Sequence, residues 1–316
     1  MRGGELAMVD IRKSLGTDDA GTVLIQPEID KVLQHLVEFK NPLRQNLPRK
    51  SGSGPSWYLN RRTPGTTGAQ FVADKDTIDE DQGSYARVEF PYKTIAAKGK
   101  VTRKMQAIGR SYIDVLAEEI EARVVEFKDY DDWALFRGSI TSSANQYDGL
   151  DILVTQTVSC ATTTSAGPMT LAKLDQAIDT CSGDPNMIIA SKRSRRVLNQ
   201  LLQSQQRFVN IVEVRGGFKV MTYNGIPIFT STNILDTMLM ASGGASVAAY
   251  TGGDASSLYI LDTEFAWVGE LTPLTIEPLA KTSSQFDEFD LYCDEALVIA
   301  NAEKHVRLIG ISGSTS

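Results

Sequence analysis

The segment 51–99 sets the strongest limit on how this chain folds. Gly52, Gly54, Pro55, Pro64, Gly65, Gly68 and Gly83 punctuate it. Two extended runs stand out, 56–62 and 85–96, and in the second Val88, Phe90 and Tyr92 alternate with Arg87, Glu89 and Lys93 at the two-residue period of a strand. The acidic residues Asp74, Asp76, Asp79, Glu80 and Asp81 lie between the runs. The pattern predicts a long two-stranded hairpin with a charged, irregular middle. An isolated hairpin is marginally stable in water, so one of this length must lie on something else, and another copy of the chain is one candidate.

A long helix follows. Ser111 with Asp114 three residues on forms a capping-box pattern. Ile113, Leu116, Ala117, Ile120, Val124, Phe127 and Ala134 continue an apolar stripe, with Glu118, Glu119, Glu121 and Arg123 on the other face. Gly138 is placed to end it as a C′ glycine. A helix over 112–137 would be about 39 Å long, which suits a structural strut. Upstream, Ile29, Val32, Leu33, Leu36, Val37 and Phe39 mark an amphipathic helix over 27–40, stopped by Asn41-Pro42. Downstream comes a Ser/Thr-rich loop at 155–167, then a helix with Leu171, Leu174, Ile178 and Cys181 on one face. A short buried strand at 187–190 and a helix capped by Ser191, holding Val197, Leu198, Leu201 and Leu202, complete a compact mixed segment. Gly216-Gly217 and Asn224-Gly225 mark hairpin turns, and 258–311 reads as strand-rich.

Residues that carry chemistry are scarce. The only histidines are His35 and His305, at opposite ends of the chain, which leaves no local metal-binding spacing. Cys160, Cys181 and Cys293 are an odd, sparse set without CxxC spacing; they fit buried apolar fillers in a reducing compartment, not a disulfide framework. Residues 65–70 lack the Gly-Lys-Ser/Thr ending of a phosphate loop. Gly244-Ala245-Ser246-Val247-Ala248 is a poor nucleophile elbow, missing its last glycine and any helix signal after it. The acidic stretch lacks the central glycine and terminal glutamate of an EF-hand. No signal peptide or membrane-length apolar run is visible. With 32 basic and 39 acidic residues, a net charge of −7, the chain is a poor candidate for gripping nucleic acid over a broad surface. Two basic clusters exist nonetheless, Lys98, Lys100, Arg103 and Lys104, and then Lys192, Arg193, Arg195 and Arg196. The second sits in the first turns of its helix, where cations oppose the macrodipole. A solvated face is the plain reading of it; ion pairing between subunits or weak contact with nucleic acid are the others. No catalytic, cofactor-binding or metal site is expected, and no enzyme.

The order of elements, read with local motifs, resembles the major capsid proteins of tailed bacteriophages, the Hong Kong 97-like fold. Leu24-Ile25-Gln26-Pro27-Glu28-Ile29 resembles that family's entry into its first helix and Asn41-Pro42-Leu43-Arg44 its exit. Asp131-Asp132-Trp133-Ala134-Leu135-Phe136-Arg137-Gly138, with Asp148-Gly149-Leu150 after it, is similar to the close of the family's spine helix. Asn224-Gly225-Ile226-Pro227-Ile228-Phe229 is similar to a late hairpin of its axial domain.

The resemblance implies an α+β fold with an N-terminal arm (1–50), an extended β-hairpin loop (51–100) and a peripheral domain with a long spine helix (101–150). An α/β axial domain (151–257) and strands returning to the peripheral domain before a C-terminal tail (258–316) complete it. It implies a structural protein, self-assembling into an icosahedral shell of hexamers and pentamers around double-stranded DNA held by loose contact, made in the host bacterial cytoplasm and residing in the virion. A separate scaffolding protein, a portal and decoration proteins would be its partners, with no membrane involved. The family's cross-linking lysine and asparagine have no matching motif here. An encapsulin-like nanocompartment shell is the alternative, and a serine hydrolase using Ser246 the remote one. Trp57, Tyr58, Arg61, Arg62, Phe90 and Tyr92 are the expected inter-subunit contacts, because large aromatics and arginines dominate interface energetics; packing within the hairpin is the competing use.

Overall fold

The computed structural model describes residues 41–63, 71–74, 83–109, 114–161, 163–204, 211–214, 218–244, 246–280 and 285–314. The helix expected over 27–40, the motif at 24–29 and all of the acidic stretch beyond Asp74 lie outside them.

After the short helix α1 (Pro42–Asn46) the chain runs through β1 (Arg49–Ser51) and the hairpin strands β2 (Ser56–Thr63) and β3 (Ser84–Pro91), which pair only with each other. Next comes β4 (Lys93–Thr102). The single strand expected over 85–96 is therefore two, changing sheets at Tyr92. Pro91 has no N–H to extend a ladder, and Tyr92 N–H turns back to Pro55 O at 3.4 Å.

Helix α2 (Arg103–Gly109) leads to α3 (Val115–Arg137), 23 residues and about 34 Å long. It begins at Val115, not 112, because Asp114 is itself the cap, its carboxylate accepting from Leu116 N–H and Ala117 N–H at 3.2 and 3.3 Å. Ser111 lies outside the described residues. Gly138 keeps φ −54, so it does not end the helix through a left-handed turn. Its glycine is needed for space: a Cβ there would meet Tyr147 O at 2.4 Å, and one on Gly149 would meet the Phe136 carbonyl carbon at 2.7 Å. Gly149 N–H donates to Gly138 O at 2.9 Å, so the two glycines press backbone on backbone and turn the chain into α4 (Leu150–Leu153).

The remaining strands build two sheets. In one, β13 (Ala266–Pro278) and β14 (Phe286–Ile299) lie between β1 and β4. The other runs in the order β5 (Thr157–Ser159), β15 (Val306–Ile311), β12 (Ser256–Leu261), β6 (Met187–Ala190), β9 (Ile226–Thr230), β8 (Phe218–Tyr223), β7 (Ile211–Val214). A small ladder joins β10 (Leu239–Met240) to β11 (Val247–Ala249). The boundary expected at 257/258 falls inside β12, and the stretch 258–311 is shared: its two ends form central strands of the seven-stranded sheet while β13 and β14 belong to the other. β12, β15 and β6 are buried at every position, as strands flanked on both edges and covered on both faces must be.

Helices α5 (Leu171–Thr180) and α6 (Lys192–Ser204) cover one face of that sheet, setting Leu171, Leu174, Val197 and Leu198 against Ile188, Leu258, Ile260 and Leu308. Ser191 caps α6 as expected, its Oγ accepting from Ser194 N–H at 3.0 Å. The opposite face, with Ile189, Tyr259 and Ile309, joins Phe127, Leu135 and Phe136 of α3. Asn224-Gly225 forms the two-residue β8–β9 turn with φ of 50 and 84, the pair of positive values of a type I′ turn.

Candidate interaction surface

The hairpin is held along one face. β2 and β3 pair without interruption from Ser56–Pro91 to Thr63–Ser84. At the base Phe90, 7% exposed, packs with Trp267, Ala296 and Val298, and Trp57 meets the Trp267 ring edge-on at 6.0 Å and 67°. Tyr92 joins this cluster. Gly269 makes room for the indole, since a Cβ there would lie 2.9 Å from Trp57 Cε3. The Lys50 ammonium sits 3.5 Å from the Trp267 ring centre. Arg61 Nη2 donates to Ile299 O at 2.6 Å. Beneath lies a cleft of about 330 Å³ lined by Arg61, Val88, Phe90, Ile140, Ile152 and Leu153 among others.

The face of the hairpin turned away from the body has no cover among the described residues. Tyr58 is 49% and Tyr85 77% exposed, and arginines lie over both rings, Arg62 at 6.0 Å from Tyr85 and Arg87 at 5.9 Å from Tyr58. Trp57, Phe90 and Tyr92 thus come together against the chain's own sheet and Arg61 ties the hairpin to β14, while Tyr58 and Arg62 stand free of the body. Tyr85 and Arg87, opposite Arg62 and Asn60, share that free face, and the sequence marks it by the alternation alone.

Buried charges fix the frame on which the hairpin stands. Arg49 binds Asp131 and Glu295, each at 3.2 Å, and also Glu270; Arg44 shares Asp131. Tyr147 OH donates to Glu295 at 3.0 Å, and burial raises its pKa well above the phenol value. Asp132, with no exposed surface, accepts from Leu43 N–H, Arg44 N–H and Asn233 Nδ2 at 3.1, 3.2 and 3.1 Å. Burial nevertheless pushes its carboxyl up to about 6. This set joins α1, β1, α3, β13 and β14, and no local spacing announces it. A second buried set pairs Arg307 with Asp151 at 3.1 Å, with Tyr250 and Tyr259 donating to the same carboxylate.

Of the nucleophilic and basic side chains weighed in the sequence, His305 and the three cysteines are enclosed by the fold. His305 is buried, its Nδ1 accepts from Asp262 N–H at 3.3 Å, and burial pushes its pKa down to about 4. All three cysteines are buried; burial pushes the Cys160 thiol up to about 11 and raises Cys181 and Cys293 as well. Ser246 is exposed on the loop entering β11, a strand where an elbow needs a helix. Among the described residues no group of three His, Cys, Asp or Glu side chains is arranged to hold a metal ion, and no described helix is long and apolar enough to cross a membrane. Lys98 and Lys100 are satisfied by Glu288 at 2.7 and 3.3 Å.

Residues 22–312 match the profile of a family described as SU10 major capsid protein. Among solved structures, the chain is similar to the SrpI encapsulin of Synechococcus elongatus in its holo complex, with a TM-score of 0.70 at 12% identity over 95% of this chain and 97% of that one. It is similar to a chain from Mycobacterium phage Bobi, with a TM-score of 0.62 at 15% identity over 94% and 98%. The capsid of Myoviridae phage XM1 gives a TM-score of 0.62 at 11% identity over 90% and 97%. At such identities the likeness shows the fold alone. A search of curated proteins finds no match.

Proposed function

Since this chain belongs to the SU10 major capsid protein family, we propose that its copies close into an icosahedral shell of hexamers and pentamers, the head of a tailed double-stranded DNA bacteriophage. The observation that carries the reading is a hairpin anchored on one face: Trp57, Leu59 and Phe90 pack on the chain's own β13 and β14, while the other face presents Tyr58, Tyr85, Arg62 and Arg87 to solvent. Aromatic and arginine side chains on an arm without a core are the material of an interface hot spot. The free face lies over the adjacent subunit, with Tyr58 and Arg62 as contacts, while Trp57, Arg61, Phe90 and Tyr92 set the angle at which the arm leaves.

In this reading residues 1–50 are the arm, 51–100 the extended loop, and α3 the spine of a peripheral domain completed by the four-stranded sheet. The seven-stranded sheet with α5 and α6 is the axial domain, redrawn to include β12 and β15. The shell encloses DNA by loose contact, in keeping with a net charge of −7. Scaffolding, portal and decoration proteins are its partners, and synthesis takes place in the host cytoplasm.

Electron microscopy of the purified protein tests this: closed shells of hexamers and pentamers support it, and a stable monomer under all assembly conditions overturns it. Tyr58→Ala with Arg62→Ala should cut shell yield and leave monomer Tm unchanged, whereas Trp57→Ala with Arg61→Ala should lower both. A shell enclosing protein cargo is the second reading, favoured by the TM-score of 0.70 against an encapsulin. Nuclease-protected DNA inside native particles decides against it, and a protein cargo decides for it.

A further inference from the structure

The two helices on the outer face of the seven-stranded sheet carry opposite charge. α6 begins with Lys192, Arg193, Arg195 and Arg196 and contains no acidic residue. Arg193 is used inside the chain, pairing with Asp254 and Asp236 and donating to Ile311 O at 3.3 Å. Lys192, Arg195 and Arg196 are exposed and make no ion pair among the described residues. In the first turns of a helix three cations face the positive end of the macrodipole. That placement is unfavourable in an isolated subunit; Asp236 and Asp254 stand there but are engaged by Arg193, and an anionic surface from outside would serve the other three.

A candidate surface lies toward the other end of β6. α5 lies over β5 and β15, whereas α6 lies over β12, β6 and β9. Asp179 on α5, Asp184 in the turn after it and Glu303 are exposed, and Ser182 N–H donating to Glu303 O at 3.0 Å draws the last two near each other. The neighbouring cation, Lys304, is turned inward, its Nζ donating to Ser182 O at 2.9 Å beside the Phe265 ring. Asp179, Asp184 and Glu303 have no ion pair among the described residues.

We infer that α6 of one copy docks against the α5 end of the next, with Lys192, Arg195 and Arg196 facing Asp179, Asp184 and Glu303. The two sets lie at opposite ends of β6, with Asp184 before Met187 and Lys192 after Ala190, so a head-to-tail contact uses one end of each copy, and repetition in one sense closes a ring. Every copy then uses its basic set toward one neighbour and its acidic set toward the other. A second copy fits better than nucleic acid, because the complementary charge is present in equal number on the chain itself. The inference rests on the assembly reading above and supplies the side chains that select ring neighbours.

Charge reversal in both directions tests it. Arg195→Glu with Arg196→Glu, and separately Asp179→Lys with Asp184→Lys, should leave monomer Tm and circular dichroism unchanged and reduce shells counted by electron microscopy about tenfold, with wild-type assembly itself weakened by salt. Combining all four substitutions should restore wild-type yield. Half-variants that assemble normally, or a fourfold variant that is not rescued while its monomer folds, overturn the inference and leave the assembly reading standing. Basic-half variants forming intact shells that hold less DNA assign the surface to nucleic acid instead. A wild-type chain that forms no shells removes the assembly reading and this inference together.

Discussion

Trp57→Ala should free the hairpin from the body without unfolding the body. A tryptophan offers about 150–250 Å² to burial, and half-buried Trp57 gives up about 100 Å² of it. At about 25 cal/mol per Å² that is about 2.5 kcal/mol. Loss of the edge-on contact with Trp267 adds about 1 kcal/mol. Together these shift the docked-to-undocked equilibrium by about 300-fold, at 1.4 kcal/mol per decade. Gly269→Ala should act the same way from the other side, because its Cβ would stand 2.9 Å from the indole. Hydrogen exchange on unassembled protein, resolved by peptide, reads the result: amides of β2 and β3 exchange about two orders of magnitude faster, and those of β6, β12 and β15 keep their rates. Hairpin peptides that retain wild-type protection in both variants would refute the anchoring role of the Trp57–Trp267 contact. Loss of protection in β12 and β15 in step with the hairpin would refute the separation of hairpin from body.

The other expectations concern the body. Gly149→Ala drives a Cβ into the Phe136 backbone at 2.7 Å and should cost about 3 kcal/mol in denaturant unfolding; Gly225→Ala, opposed only by its φ of 84, should cost about 1 kcal/mol. Two buried groups oppose each other in acid. Asp132, with its carboxyl up at about 6 against an ordinary value near 3.8, binds its proton more readily when folded, so its contribution to stability rises as pH falls from 6 toward 4. His305, down at about 4 against 6.5, binds its proton less readily when folded, so its contribution is lost over nearly the same interval. Each amounts to about 3 kcal/mol. Stability measured against pH should climb on acidification in His305→Gln and drop in Asp132→Asn, and parallel curves for the two variants would contradict both assignments. Cys160, Cys181 and Cys293 should all resist a thiol reagent in native protein and react on denaturation; rapid labelling of any one would show that its site opens.

What local sequence carries, the structure repeats. Asn224-Gly225 gives its turn, Ser191 its cap and the apolar stripe through Phe127 and Ala134 its helix, because each depends on neighbours within a few residues. Long-range pairing was hidden. Arg49 finds Asp131, Glu270 and Glu295, partners brought to it by the fold from distant parts of the chain, and no spacing rule links them. Trp267, the seat of the hairpin, reads in sequence as one more apolar residue in a strand. The switch at Tyr92 escaped because β3 and β4 share one alternating pattern, and only pairing partners tell them apart. At the interaction surface, the types of residue were legible, yet which of them faced inward depended on where β13 and β14 passed beneath.

The route of the chain between its two sheets has a mechanical side. β13 and β14 are inserted between β12 and β15, which are neighbours, and the pairs Ile260–Val306 and Tyr259–Arg307 bring both connections to one end of that ladder. A pull on the inserted pair along the strand axis therefore loads β12 and β15 in the same sense and does not peel them apart. The strain falls in shear on their outer seams, β12 against β6 and β15 against β5, where several backbone hydrogen bonds must break at once. A wall under pressure from within, stretched in its own plane, would find its strongest resistance along those seams.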